Sequence, residues 1–189
     1  MTARFIYFAM ESLDGYIEDP QGKFDWAAPD EERHQFVNDL LCPVGTYLYG
    51  RRMYETMQVW ETQYGSESDP IWARDFARLW RAADKVVYSK TLKQVSTART
   101  RLERTLDVDG IREMKSRARH DLAIGGHELA AHAFSAGLID EIHLFIAPII
   151  VGGGKPSLPD DLRLKLELID ERRFGSSSAV YLRYLISQH

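Results

Sequence analysis

Three short segments place small or basic residues directly after a predicted buried strand. They are Gly50-Arg51-Arg52 after TYLY, Ser89-Lys90-Thr91 after KVVY, and Gly125-Gly126 after LAI. In open α/β sheets, ligands bind beyond the carboxyl ends of the strands, where backbone N–H groups at a helix start can hold a phosphate. Each junction alone is better explained as a turn with solvated side chains. Three such junctions on consecutive strand–helix units predict a groove that binds the phosphates of a dinucleotide.

The residues at these junctions favour one nicotinamide cofactor over the other. GGHELA (125–130) lacks the third glycine of the Rossmann fingerprint, and no acidic residue is placed to hold an adenine ribose hydroxyl. An NAD-dependent dehydrogenase is therefore disfavoured. Basic residues at two junctions suit the 2′-phosphate that only NADP carries.

Predicted strands and helices alternate along the chain, and these elements must position the junctions. RFIYFA (4–9) is typical of a strand covered on both faces, and the tail alternates around GSSS (175–178) like an antiparallel hairpin. The periodicity predicts further strands at 46–50, 85–89, 99–106, 122–124 and 139–147, and helices at 29–41, 51–57, from Ile71 onward, 108–119 and 127–136. We predict one α/β domain over residues 1–189 with a mostly parallel sheet, flanking helices and a C-terminal antiparallel hairpin. An α+β sandwich is disfavoured because the helices fall between strands.

Composition excludes several functional classes. The 189 residues are 44% hydrophobic and 28% charged, as in a globular domain, and the net charge of −4 disfavours non-specific nucleic-acid binding. The longest apolar run, 144–151, is too short to span a membrane, and the N-terminus lacks the layout of a secretory signal. Together with the single Cys42, these features predict a cytoplasmic protein.

The same segments resemble the dihydrofolate reductase superfamily, particularly the reductase domain of bifunctional riboflavin-biosynthesis proteins. The resemblance covers nearly the whole chain and rests on SLDGYI (12–17), YGRRMYE (49–55), YSKT (88–91), the block at 124–156 and the final hairpin, in that order. It implies the three-layer dihydrofolate-reductase-like fold and NADPH-dependent reduction of a small heterocycle or carbonyl, similar to a pterin or to the substrate of 5-amino-6-(5-phosphoribosylamino)uracil reductase. It also implies a homodimer.

Carried over by position, the resemblance implies roles for ten residues at the cofactor. Arg51 or Arg52 would lie near the 2′-phosphate, and the two glycines at 125–126 would let the backbone approach the pyrophosphate and nicotinamide, joined by a cis peptide. The full set comprises Ala9 and Ile17 beside the nicotinamide, Gly50, Arg51 and Arg52 at the phosphates, Ser89 and Lys90 at the adenosine, and Gly125, Gly126 and Glu128.

Reduction also needs a proton donor, and two carboxyl groups are candidates. Trp26-Ala27-Ala28-Pro29 reproduces the unit that precedes the acid of dihydrofolate reductases, which implies Glu31 as the acid and Trp26 at the substrate. Glu31 is equally explained as an acidic residue in the first turn of a helix. In the riboflavin-type branch the aspartate of the SLDG loop lies near the active site, which makes Asp14 the rival, although Asp14-Gly15 also reads as a turn.

Other features limit or broaden these interpretations. Met53 stands where dihydrofolate reductases have a hydroxyl residue, and no arginine is identified for a folate carboxylate, so dihydrofolate is disfavoured as the substrate. Gly152-Gly153-Gly154-Lys155 could clamp a phosphate or form a flexible loop. The scattered histidines disfavour a metal site. A non-catalytic NADP(H)-binding module that acts as a sensor or sequestering protein remains the alternative function.

Overall fold

A computed structural model describes residues 3–187 and shows ten strands and six α-helices in that part of the chain. The strands are β1 (Phe5–Ser12), β2 (Tyr16–Glu18), β3 (Val44–Gly50), β4 (Asp84–Tyr88), β5 (Thr100–Glu103), β6 (Asp121–Gly125), β7 (Glu141–Ala147), β8 (Lys155–Pro156), β9 (Leu166–Arg173) and β10 (Val180–Ile186). The α-helices are α1 (Glu31–Leu41), α2 (Arg51–Met57), α3 (Val59–Thr62), α4 (Ile71–Ala82), α5 (Val108–Arg117) and α6 (His127–Ser135), and a 3-10 helix covers Asp25–Ala27.

Eight strands form the central sheet in the order β5-β4-β3-β6-β1-β7-β10-β9. The first six run parallel to one another, and β10 pairs antiparallel with both β7 and β9. Parallel strands direct their carboxyl ends to the same edge, so β3, β4, β5 and β6 all deliver their following residues to one side of the molecule.

Two hydrophobic cores cover the two faces of this sheet, because successive strand side chains alternate between faces. Phe5 and Tyr7 of β1 pack in the core that includes residues of α5 and α6, whereas Ile6 packs in the core that includes residues of α1 and α4. The result is a three-layer arrangement with helices on both faces of the sheet.

A small second sheet joins the loop after β1 to the glycine-rich loop after β7. Its strands β2 and β8 pair antiparallel through Tyr16 with Pro156 and Glu18 with Lys155. Gly154, immediately before β8, has φ +124°, and an added Cβ there would collide with the carbonyl oxygen of Glu18. The glycine is therefore required for the close approach of the two loops.

The structure confirms the predicted fold class, including the mostly parallel sheet and the C-terminal hairpin. Helix α2 covers the predicted residues 51–57, while α1 begins at Glu31 instead of Pro29. The short elements β2, β8 and α3 were not predicted, since segments of two to four residues carry too little periodicity. Within the described residues, no helix is long and apolar enough to cross a membrane.

Candidate functional site

A cavity of about 610 Å³ lies beyond the carboxyl ends of β3, β4, β5 and β6. We call it the basic groove, since its walls carry five lysine and arginine side chains and one carboxylate. All three strand junctions of the sequence analysis contribute to it. Seven of the predicted cofactor residues line it, namely Gly50, Arg51, Arg52, Ser89, Lys90, Gly126 and Glu128.

Two further cations lie in the basic groove: Arg104, which the sequence did not single out, and Lys155, which it offered only as part of a loop that could clamp a phosphate. Arg104 follows β5, and its Nη1 donates to the carbonyl oxygens of Ser89 at 3.1 Å and Leu92 at 2.6 Å. Lys155 reaches the groove from β8 and lies 3.6 Å from Glu128. Arg104 could have been suspected from its place at a fourth strand end, but the strand was predicted to run to residue 106, which puts Arg104 inside it.

The charges in the basic groove differ in how far they are already neutralised. Arg51 contacts Glu55 at 2.7 Å, and Arg52 lies 3.6 Å from Glu18. Lys90 and Arg104 form no ion pair within residues 3–187. These two cations are therefore available to an anionic ligand, which fits the donor set that a nucleotide phosphate needs.

The turn after β4 is fixed by its own serine. The Ser89 hydroxyl accepts hydrogen bonds from the backbone N–H groups of Thr91 at 3.3 Å and Leu92 at 3.0 Å. The buried serine thus shapes the turn that presents Lys90, which is exposed at the groove.

Gly126 forms the start of α6 at the base of the groove. Its φ of +91° and ψ of 129° suit glycine alone, and it allows α6 to begin directly after β6. The helix start places free backbone N–H groups and the positive end of the helix dipole beside the groove. The cis peptide implied for Gly125-Gly126 is not present, since every peptide bond in the described residues is trans.

A second cavity of about 470 Å³ adjoins the basic groove. We call it the aromatic pocket, and it lies between the end of β1, helices α1 and α2, and the 3-10 helix. Ala9, Ile17 and Gly125, which were expected beside the nicotinamide, line it. Its apolar and aromatic wall residues include Tyr7, Phe8, Met10, Phe24, Val37, Leu41, Tyr47, Tyr49, Met53, Met57, Trp60 and Phe76.

The two cavities share one wall. Arg52, Met53, Gly126, His127 and Lys155 line both the basic groove and the aromatic pocket. A ligand with phosphates in the groove can therefore extend a ring into the pocket at Gly126. This continuity is the geometry that a dinucleotide and a second small molecule require for direct transfer between them.

Glu31 and Trp26, which the resemblance implies as the acid and a substrate contact, line neither cavity. The reason lies at the start of α1, where the Asp30 carboxylate caps the helix by accepting from the backbone N–H of Arg33 at 2.9 Å. This cap leaves Glu31 on the exposed face of α1. The face towards the pocket begins one turn later with His34.

Asp14 also lines neither cavity, and it is exposed. Its carboxylate accepts backbone N–H groups from Val151 at 3.1 Å and Gly152 at 2.8 Å. Hydrogen bonds from the Ser12 hydroxyl and from these backbone groups lower the pKa of Asp14. A carboxyl held ionised in this way anchors the glycine-rich loop and is a poor proton donor.

Two other carboxylates do line the aromatic pocket. Glu18 lies in β2 next to Ile17, and Asp25 lies in the 3-10 helix just before Trp26. Burial raises the pKa of Glu11 at the end of β1, but Glu11 lines neither cavity. Sequence spacing alone gave no reason to prefer Glu18 or Asp25 to Glu31.

His34 is the pocket residue that the sequence analysis missed most clearly. It is 8% exposed and lies against three aromatic rings, with centroid distances of 4.3 Å to Trp72, 5.6 Å to Phe76 and 5.7 Å to Trp60. Burial lowers its pKa, and Nδ1 has no hydrogen-bond partner among the described residues. The signal in the sequence was its spacing with Val37 and Leu41, which places all three on one helical face.

One family model matches nearly all of the chain and shows which family the chain belongs to. The model describes the RibD C-terminal domain and matches residues 4–180. The chain belongs to the RibD C-terminal domain family. A related protein of Bacillus subtilis strain 168, the uncharacterized protein YyaP, is 28% identical over 175 residues, which cover 92% of this chain and 90% of YyaP.

Solved structures share the fold of this RibD C-terminal domain protein. A Shewanella sp. PV-4 protein whose proposed role is riboflavin biosynthesis superposes with a TM-score of 0.75 at 23% identity, with full coverage of both chains. Dihydrofolate reductase from Enterococcus faecalis, solved with NADP(H) and RAB-propyl, gives 0.68 at 13% identity, again with full coverage of both chains. The fold is therefore the reductase-type fold shared by RibD C-terminal domains and dihydrofolate reductases, as the resemblance implied.

Proposed function

We propose that this protein is an NADPH-dependent reductase that passes a hydride to a small heterocyclic or carbonyl substrate. The observation that carries this proposal is the convergence of Gly50, Ser89 and Gly126 on one cation-lined cavity that opens into a second, apolar cavity. NADPH, when bound, supplies the hydride. The protein provides alignment, exclusion of water and a proton.

The basic groove provides the features that a phosphorylated cofactor needs. Lys90 and Arg104 offer cationic donors without carboxylate partners in the described part of the chain, and the start of α6 at Gly126 offers backbone N–H groups. The 2′-phosphate is a dianion at neutral pH, so these cations favour NADPH over NADH. Ala9, Ile17 and Gly125 would then border the nicotinamide ring where the groove meets the aromatic pocket.

The proton is better assigned to a carboxyl group of the aromatic pocket than to Glu31 or Asp14. A proton donor must lie within hydrogen-bond reach of the substrate, directly or through one water. Glu18 and Asp25 line the pocket and satisfy the first condition for this role. The substitutions Glu18→Gln and Asp25→Asn should separate them, with Glu31→Gln and Asp14→Asn as matched carboxyl-to-amide controls.

A titration of NADPH against NADH on the purified protein tests the cofactor assignment. We expect NADPH to bind at least about tenfold more tightly, which corresponds to about 1.4 kcal/mol. Equal affinities, or no binding of either nucleotide, would contradict the roles given to the groove cations. Raising the salt concentration should weaken NADPH more than NADH, since the additional contact is electrostatic.

The alternative is a non-catalytic NADP(H)-binding module that acts as a sensor or sequestering protein. It is favoured by one observation, namely that neither predicted acid, Glu31 or Asp14, lines a cavity. Binding of NADPH without oxidation against pterins, ribosylaminopyrimidines and quinoid carbonyls would support the module. Oxidation with any of them would support the reductase.

A second copy of this chain is the proposed protein partner. Strand β9 is at the edge of the sheet, every residue of it is exposed, and the exposed residues include Leu166, Leu168 and Ile169. An exposed edge strand of eight residues, three of them apolar, can pair with another strand. Light scattering coupled to gel filtration should give twice the mass of the 189-residue chain, and Leu168→Lys should return it to the monomer mass.

A further inference from the structure

We propose that the substrate of the aromatic pocket is an uncharged planar ring compound, without phosphate or carboxylate, that is hydrogen-bonded by His34. This inference rests on the proposed reductase function and specifies its substrate class. It comes from the walls of the pocket, from the positions of its charges and from the state of one buried histidine.

The walls favour a flat apolar ligand. Phe8, Phe24, Tyr49, Trp60 and Phe76 come from five different elements or loops and all line this one cavity. Aromatic rings stack or meet edge to face with other rings and gain more from such contacts than from their buried area alone. A volume of about 470 Å³, part of which borders the proposed nicotinamide position, suits a compound of one or two rings.

The charges of the pocket disfavour an anionic ligand. Arg52 and Lys155 are its only lysine and arginine residues within the described part of the chain, and both also line the basic groove. Each lies 3.6 Å from a carboxylate, Arg52 from Glu18 and Lys155 from Glu128. The other charged residue of the pocket walls is Asp25. A phosphate placed among the aromatic side chains would therefore lack a partner, and an unpaired charge in apolar surroundings is costly.

His34 provides a polar contact that suits a neutral ligand. Burial lowers its pKa, so at neutral pH the imidazole is uncharged and offers one donor and one acceptor. Tilted packing against Trp72 and edge-to-face contacts with Trp60 and Phe76 fix the ring, which lines the pocket. A fixed, neutral imidazole can satisfy a ring nitrogen or a carbonyl oxygen, but it adds no charge to attract an anion.

The reaction that follows would balance with NADPH as the hydride donor and one proton from a carboxyl group of the pocket or from water. A conjugated C=N or C=O bond of the ring receives the hydride at carbon and a proton at nitrogen or oxygen, while NADPH becomes NADP⁺. No further oxidant or reductant is needed. The reaction that supplies this ring compound must therefore either remove a phosphate group or act on a compound that has none.

Calorimetric binding of two matched probes tests this inference. Quinoxaline and quinoxaline-2-carboxylate share one bicyclic ring and differ by one negative charge. With NADP⁺ at saturation, we expect quinoxaline to bind at least about tenfold more tightly than the carboxylate. Equal or tighter binding of the carboxylate would overturn the proposal. The same titrations without nucleotide separate it from the cofactor assignment, because a loss of NADP⁺ binding does not alter the preference between the probes.

Two variants sharpen the test. His34→Ala should weaken quinoxaline about fivefold, as expected for one lost hydrogen bond of about 1 kcal/mol, and His34→Gln should restore part of this loss. Met57→Lys introduces a cation at a half-buried pocket position and should bring the affinity of the carboxylate to within about twofold of that of quinoxaline. Unchanged quinoxaline binding in correctly folded His34→Ala, judged by circular dichroism, would remove His34 from the proposal.

Discussion

The basic groove and the aromatic pocket share a wall but are assembled in different ways. Most of the groove is built from residues that end or closely follow β3, β4, β5 and β6, so these members are set by neighbouring strand ends, while Lys155 comes from β8. The pocket collects side chains from β1, the 3-10 helix, α1, α2 and α4, which are far apart in the chain. Ligand binding in the basic groove therefore depends mainly on charge, and binding in the aromatic pocket depends mainly on shape. A variant of one cavity should therefore leave binding in the other nearly unchanged.

The largest difference between the effects on ligand binding in the two cavities should come from removing the unpaired cations of the groove. Lys90→Ala combined with Arg104→Ala should weaken NADPH about 100-fold, because two charge-assisted contacts are lost. Isothermal titration should show NADH and quinoxaline within about twofold of the native values.

Lys90→Ala alone tests the loss of charge without disturbing the turn after β4, since Arg104 also donates hydrogen bonds to the carbonyl oxygens of Ser89 and Leu92. About a tenfold loss of NADPH affinity is expected for Lys90→Ala. Arg119→Ala, an exposed cation that lines neither cavity, is the control and should have no effect. An equal loss of NADH and NADPH affinity in Lys90→Ala would contradict a 2′-phosphate contact.

A substitution in the shared wall should weaken ligand binding in both cavities, because the same residues line both. Gly126→Ala forces an alanine to φ +91°, and such strain costs about 1 to 3 kcal/mol. We expect lower stability in urea unfolding and about a tenfold loss in affinity for both NADPH and quinoxaline. Gly175→Ala, where an added Cβ meets nothing within 4 Å and φ is not positive, should remain close to native. A loss confined to one ligand would show that the cavities are not joined at Gly126.

The stabilisation of the glycine-rich loop that carries Lys155 should depend on pH, because the Asp14 carboxylate holds this loop. Its pKa is lowered, so its stabilising hydrogen bonds are fully present above the ordinary aspartate value of about 4 and are lost as the pH falls through the lowered value. Asp14→Ala should therefore reduce the melting temperature at pH 7, and this difference from native should disappear towards pH 2. A difference that grows on acidification would show that the carboxylate is not the stabilising form.

The smallest effect is expected at Glu31. Its side chain is exposed on the face of α1 away from the pocket, so Glu31→Gln should change the affinities for NADPH and quinoxaline by less than about twofold. Titration of both ligands is the measurement. A tenfold change in either would return Glu31 to the candidate acids and would require α1 to rotate when the ligand binds.

Local sequence was sufficient for most of the groove because these residues end or follow a strand whose buried run is visible in the chain. Gly50-Arg51-Arg52, Ser89-Lys90 and Gly126 needed only the rule that parallel strands end at one edge. Arg104 was missed because the strand predicted at 99–106 runs past it, whereas β5 ends at Glu103. Local sequence did not show which carboxyl groups line the pocket, because the motif spacing gave Glu31 while the cap formed by Asp30 set which face of α1 meets the pocket.

What the sequence by itself determined was the order of most strands and helices along the chain, the α/β class with a mostly parallel sheet and the cation-rich junctions, since these follow from periodicity and from residues adjacent in the chain. Only the tertiary structure decided which side chains enclose the aromatic pocket, that Asp14 anchors a loop and that His34 faces a cavity. Those properties depend on the packing of distant segments, where the rotation of a helix by one residue exchanges a buried side chain for an exposed one.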